Sequence, residues 1–311
     1  MPDPVAAPAR WWKYQSERFP LAAHGPLILA FSLSAVCHSA LLRGDIRFPA
    51  PAQALVAFLC CLGLFLQLRI ADEFKDFEED SRWRPYRPVP RGLVTLRGLA
   101  VLALIAAAVQ AGAVLWLAPA LLLWLAVVWA YLALMSREFF VRDWIKRRPV
   151  TYLWTHMLIL PLVDFLATAC DWQVRGAGPP GGLHWFLLAS FFNGIVIEVG
   201  RKIRVPDDEE EGVETYTALW GRIGAVRVWW AMLGVTAGCA ALAAHRAGFG
   251  LWMAGWLVVL LAGGLWIGGR FLRSVDRGAG RRIEGWSGVW TLGLYLGLGV
   301  VPMAVRALGA P

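Results

Sequence analysis

Charge is scarce in this sequence. Only 17% of its 311 residues are Asp, Glu, Lys or Arg, against about 25% in an average soluble domain. That shortage excludes a disordered chain and a soluble two-domain enzyme of this length. Cysteine is scarce too. Cys37, Cys60, Cys61, Cys170 and Cys239 all lie in apolar stretches, and none forms a CxxC pair. A secreted disulfide scaffold is excluded, and these thiols read as small apolar packers. The five histidines are scattered without a pair at helical spacing, so no zinc site is expected. No secretory signal is expected either, because Asp3, Glu17 and several prolines precede the first apolar run.

Apolar residues are abundant, at 58% of the chain, with 18 Trp and a mean hydropathy of +0.55. Nine apolar runs are long enough to cross a bilayer, at about 21–42, 52–70, 95–114, 116–135, 151–170, 183–200, 223–244, 249–270 and 287–306. They lack the period-two alternation of an outer-membrane barrel. The expected fold is an all-α polytopic membrane protein, one domain over 1–311, with residues 1–20 as a cytoplasmic or interfacial segment. Basic residues set the orientation. With the N-terminus in the cytoplasm and the C-terminus outside, 25 of the 30 Lys and Arg lie on the inner side and five outside. The net charge of +8 then serves loops and lipid headgroups rather than nucleic acid. Arg10-Trp11-Trp12-Lys13 reads as an interfacial anchor. Asp164, the one acid well inside a run, is expected to make a structural hydrogen bond, with an acceptor or a polar residue such as His156 as the candidate partners.

Acids concentrate in two places. Asp72, Glu73, Asp76, Glu78, Glu79 and Asp80 follow the second run, and Asp207, Asp208, Glu209, Glu210, Glu211 and Glu214 follow the sixth. Both follow even-numbered runs, so they can meet at the cytoplasmic end. If the second helix persists, Glu73, Asp76 and Asp80 share a face and repel unless a cation neutralises them. Mg²⁺ prefers carboxylate oxygens and leaves positions open for phosphate. The alternative is a solvated acidic loop balanced by arginine. A stiff basic connector follows, Arg84-Pro85-Tyr86-Arg87-Pro88-Val89-Pro90-Arg91-Gly92. Carboxylates, Mg²⁺ and arginine together suit a diphosphate.

Asp72-Glu73-x-x-Asp76-x-x-x-Asp80 with Arg87-Pro88-Val89-Pro90-Arg91-Gly92 resembles the first signature of the UbiA superfamily of intramembrane prenyltransferases. That signature is Asn-Asp-x-x-Asp-x-x-x-Asp followed by Arg-Pro, so Asp72 stands for the Asn and Glu73 for the first Asp. After the sixth run, Glu198, Asp208, Gly212 and Thr215 match the second signature, allowing one deletion, while Lys202 and Arg204 stand where the family usually has acids. Arg137 falls at a basic position the family often has after its fourth helix.

The resemblance implies nine transmembrane helices around a cavity, with Asp72, Glu73, Asp76, Asp80, Asp207 and Asp208 as Mg²⁺ ligands. Asp76, Asp80 and Asp208 are the implied catalytic acids. Arg69, Lys75, Arg87, Arg137, Glu198, Arg201, Lys202 and Arg204 are the implied donor-binding residues. The implied partners are a prenyl diphosphate, a lipophilic acceptor, aromatic by preference, and the bilayer. The implied location is a membrane crossed several times, in a bacterium the inner one, with the site at the cytoplasmic face. Some of the Trp rings are candidates to line the cavity and stabilise an allylic cation. Competing readings are a cyclase without an acceptor, a transferase using another phosphorylated donor such as phosphoribosyl diphosphate, and a non-enzymatic transporter. A CDP-alcohol phosphotransferase is disfavoured because its Asp-Gly-x-x-Ala-Arg core is missing.

Overall fold

A computed structural model describes residues 7–273 and 275–309. Asp3 and the last two residues lie outside them, so the N-terminal reading and the extreme C-terminus are described only in part. Regular structure among the described residues is helical, without a strand. The order is α1 (Ala7–Arg18), α2 (Leu21–Leu42), α3 (Pro51–Lys75), α4 (Phe77–Trp83), α5 (Leu96–Leu117), α6 (Leu121–Ser136) and α7 (Arg142–Lys146). It continues through α8 (Pro149–Met157), α9 (Ile159–Trp172), α10 (Leu183–Arg201), α11 (Tyr216–Arg246), α12 (Gly250–Arg273), α13 (Ala279–Leu298) and α14 (Val300–Ala307). Counting α8–α9 and α13–α14 as one span each, eight spans among the described residues are long and apolar enough to cross a membrane. The remaining expected run, the fourth at 116–135, is α6, whose 16 residues reach about 24 Å at 1.5 Å per residue. The protein is an integral, multi-pass membrane protein.

The broken spans have local causes. Pro161 cannot donate to the carbonyl of Met157, four residues back, and its ring crowds that turn; the helix divides between Met157 and Ile159. Pro302 does the same to Leu298, and the chain divides at Gly299. The freed Leu298 carbonyl accepts from Nδ1 of buried His38 at 2.8 Å. Gly299 is required there, since a Cβ would collide with the Ser34 backbone. The seventh span starts earlier than its apolar run suggests, because Thr215 caps it by accepting from the Ala218 amide at 3.1 Å.

α2 packs on α3, α9 and α13, and α10 packs on α9, α11 and α13. α2 and α10 are the most buried spans, while α5 and α12 are peripheral. Four of the five cysteines are buried and all are free, which agrees with their reading as packers. Asp164 is buried and accepts from the Tyr295 hydroxyl at 2.7 Å. Tyr295, rather than His156, is therefore its partner. Trp11 of the expected anchor packs near Gly98, while Trp12 is exposed.

At the end away from the acidic clusters, fully buried Asp171 of α9 ties down α2. It accepts from Arg43 Nε at 2.9 Å, Arg43 Nη2 at 2.6 Å and Ser39 at 2.7 Å. Removing one member of a buried ion pair typically costs about 3–5 kcal/mol. Asp171→Ala is expected to lose about that much stability, read as thermal unfolding in detergent. An unchanged melting temperature would show that the pair does not hold α2 to α9.

Candidate active site

The helix that carries the first signature bends at Asp76, between α3 and α4, where ψ moves to 5°. Backbone bonding continues across the bend, from Asp76 N to Asp72 O at 2.9 Å and from Asp80 N to Asp76 O at 2.8 Å. The expected face of Glu73, Asp76 and Asp80 is thereby divided. Glu73 is buried against the N-terminal helix, 2.5 Å from Arg18 Nε. Asp80 is buried between two residues of the basic connector, Arg84 at 2.9 Å and Arg87 at 2.6 Å. Both acids are neutralised by arginine. Arg87 therefore holds a carboxylate, and α1 is strapped down by Arg18 and by the 2.8 Å pair of Glu17 with Arg91.

Asp72 and Asp76 remain, one helical turn apart. Asp72 has a loose pair with Arg69 at 3.5 Å. Asp76 makes no ion pair, and its carboxyl is held above the ordinary range by burial first and then by Asp72, Asp80 and Glu79, against the pull of Lys75. Glu79 faces outward to Lys146 at 2.7 Å, which keeps its carboxyl below the usual range, and Glu78 is exposed.

Lys75 is anchored by residues that no spacing in the sequence announces. Its Nζ donates to Tyr152 Oη at 2.8 Å and lies 3.5 Å from Glu138. Glu138 also lies 3.3 Å from His156 Nε2, and His156 stacks on Tyr152 at 3.8 Å. Burial raises the Glu138 carboxyl, but His156 and Lys75 bring it below the ordinary value. Glu138, Phe139 and Phe140 have φ of 49°, 53° and 61°, a left-handed run that non-glycine residues rarely adopt. Backbone strain of this kind collects at functional sites. It turns Glu138 inward while leaving its neighbour Arg137, the residue singled out in the sequence, exposed.

The second signature arrives on α10. Buried Glu198 is 2.5 Å from Arg201 Nε and 3.0 Å from Lys202 Nζ. Arg201 also interacts electrostatically with Asp72, and Lys202 sits 5.7 Å from the Tyr216 ring centre. Arg204 points elsewhere, to Glu284 of α13 at 3.5 Å. The acidic loop is used locally. Asp208 accepts the Gly278 amide at 2.6 Å, and Glu209 accepts from Thr215 and Thr217 at 2.8 Å each. Asp207 is exposed. The loop meets the first cluster through Tyr86, which donates to Glu210 at 3.4 Å. Trp83 also packs on Gly212, where φ is +74° and a Cβ would clash. The two acidic clusters therefore share one end of the bundle.

Among the described residues no three Asp, Glu, His or Cys side chains converge as a complete ligand set. Asp72 and Asp76 nevertheless suit Mg²⁺, which is commonly held by one or two carboxylates plus substrate phosphates. The crowded, unpaired carboxyl of Asp76 is the observation that fits a cation there. Asp207 and Asp208 are not placed with this pair.

A membrane-embedded helical bundle that sets two carboxylates beside Arg201, Lys202 and Lys75 is suited to the charged head of an amphiphile. The chain belongs to the UbiA prenyltransferase family, whose family model matches residues 29–289; the protein is a membrane prenyltransferase. At least two solved structures share the fold. One is described as the apo structure of a UbiA homolog from Aeropyrum pernix K1, at 17% identity and TM-score 0.68, over 90% of this chain and 98% of that one. The other is described as a digeranylgeranylglyceryl phosphate synthase in membranes, at 12% identity and TM-score 0.62, over 96% of this chain and 99% of that one. No curated protein sequence matches this chain.

Proposed function

We propose that this single-domain protein is a Mg²⁺-dependent prenyltransferase that ionises an allylic prenyl diphosphate and gives the prenyl group to a lipophilic, preferably aromatic, acceptor. The observation that carries this reading is Asp76, a partly buried carboxyl crowded by like charge and without an ion-pair partner. Asp72 and Asp76 would hold the Mg²⁺, which when bound supplies positive charge to the leaving diphosphate.

This chain's own residues then share the work. Lys75, fixed by Tyr152 and Glu138, and Arg201 and Lys202, fixed by Glu198, offer cations to the non-bridging phosphate oxygens. Charge placed before the reaction stabilises the departing group without reorganisation. The bond from the allylic carbon to oxygen breaks, and diphosphate leaves with the electron pair. The acceptor forms a bond to that carbon and loses a proton. The apolar bundle keeps water from intercepting the cation. The preponderance of basic residues at this end supports a cytoplasmic site with the N-terminus inside.

Product analysis tests the reading. Purified protein given Mg²⁺, an allylic prenyl diphosphate and a membrane lipid extract is expected to yield a prenylated lipid. A terpene formed from the donor alone would identify a cyclase instead. Consumption of phosphoribosyl diphosphate, with all prenyl donors inert, would replace the proposed donor.

A further inference from the structure

The two signatures offer Asp72, Glu73, Asp76, Asp80, Asp207 and Asp208 as metal ligands, enough for more than one ion. The fold spends most of them elsewhere. Glu73 holds Arg18 at 2.5 Å, and Asp80 holds Arg84 and Arg87 at 2.9 and 2.6 Å. Asp208 is taken by the Gly278 amide, and Asp207 is exposed. The nearby acid Glu198 holds Arg201 at 2.5 Å and Lys202 at 3.0 Å. Only Asp72, with its loose 3.5 Å pair to Arg69, and Asp76 stand together without a close cation.

These cations are built in. Arg18 and Glu73 are 13% and 1% exposed at their side chains, so the guanidinium is not a passing surface partner. The helix that delivers it is anchored independently. Tyr14, one turn before Arg18, is buried in a small core with Ile70 of α3, Val89 of the basic connector, and Val94 and Leu99. A Cβ on Gly98 would come within 3.2 Å of the Trp11 ring, and Glu17 pairs with Arg91 at 2.8 Å. A divalent ion at Glu73 would have to displace Arg18 and lift α1 from these contacts. Arg201 and Lys202 cannot move far from Glu198, because they lie one helical turn from it. A guanidinium also keeps its charge at any pH the protein meets.

We propose that this protein works with a single divalent ion per chain, and that Arg18 of α1, with Arg201 and Lys202 after Glu198, are fixed cations that keep a second ion out. The proposal rests on the metal and donor chemistry above and sets its stoichiometry. Arg18 cancels the charge of Glu73, so that this carboxylate draws in no metal. Arg201 and Lys202 do the same for Glu198, and their remaining donors serve the phosphate oxygens. One ion on Asp72 and Asp76, completed by phosphate, is a usual arrangement for Mg²⁺. The N-terminal helix, which lies outside both signatures, thereby becomes part of the active site.

Metal counting tests this without turnover. Purified full-length protein in phosphatidylcholine nanodiscs is dialysed to equilibrium against Mn²⁺ and inorganic diphosphate, with empty nanodiscs as the blank. Wild type is expected to bind one Mn²⁺ and one diphosphate per chain. Arg18→Ala, which frees Glu73, should raise the count to two Mn²⁺, and Arg18→Lys should restore one. Two Mn²⁺ per diphosphate in wild type would overturn the proposal while leaving the prenyltransferase reading intact. A folded Arg18→Ala protein that still binds one would overturn the part given to Arg18. If that variant fails to fold, the wild-type count decides. Binding of neither Mn²⁺ nor diphosphate by wild type would overturn the metal and donor reading as well.

Discussion

Asp76→Asn is expected to lose at least a thousandfold in turnover while melting at a higher temperature than wild type when no divalent ion is present. Both effects have one origin. The Asp76 carboxyl lies above its ordinary pKa through burial and through the charges of Asp72, Asp80 and Glu79. A carboxyl whose pKa is higher folded than unfolded destabilises the fold once pH exceeds both values, and that penalty disappears as pH falls below the unfolded value. Asparagine removes the charge and therefore the penalty. It also removes a ligand for the cation that offsets diphosphate charge, a contribution of several kcal/mol to the transition state. Mg²⁺ should raise the melting temperature of wild type and not of the variant. The same raised pKa predicts that Mg²⁺ affinity falls with pH at less acid values than for an ordinary carboxylate. Thermal unfolding with and without Mg²⁺ is the check. A variant no more stable than wild type, and still stabilised by Mg²⁺, would remove Asp76 from the metal site.

The second large effect separates cations that the sequence treats alike. Arg201→Ala with Lys202→Ala is expected to raise the donor KM about a hundredfold, whereas Arg204→Ala should leave it within about twofold, each tenfold corresponding to about 1.4 kcal/mol. Arg201 and Lys202 are both held on Glu198 beside Asp72 and Tyr216, while Arg204 is engaged with Glu284 on α13. Arg204→Ala should act on stability instead, and weakly, because its partner Glu284 is exposed and the pair is loose at 3.5 Å. Equal kinetic effects of the double variant and Arg204→Ala would show that the three serve only to keep their loop inside.

Much of this arrangement is legible in the sequence. Acids and arginines stand out in a chain so poor in charge, and the two signatures place them at one end of the bundle. Glu198 with Arg201 and Lys202 is a local i, i+3 and i, i+4 grouping that a helix brings together. What is not legible depends on contacts between spans. In a straight helix Glu73, Asp76 and Asp80 would lie on one broad face. The bend at Asp76 instead leaves Asp72 and Asp76 together, while Arg18 and the basic connector take Glu73 and Asp80. Nothing local announces that Glu138 and Tyr152 flank Lys75, because one comes from the turn after α6 and the other from α8, and the turn depends on three left-handed residues. Pro161 and Pro302 are visible, but an apolar run conceals that each divides a span.

The central claim is that the Asp72–Asp76 pair enables this protein to ionise an allylic diphosphate. The most direct measurement is release of inorganic diphosphate from geranylgeranyl diphosphate by the purified protein in lipid nanodiscs with a lipophilic acceptor, in Mg²⁺ and in excess EDTA. The account predicts release in Mg²⁺, none in EDTA, and none by Asp76→Asn under either condition. Release at the same rate in EDTA, or by Asp76→Asn in Mg²⁺, would contradict it.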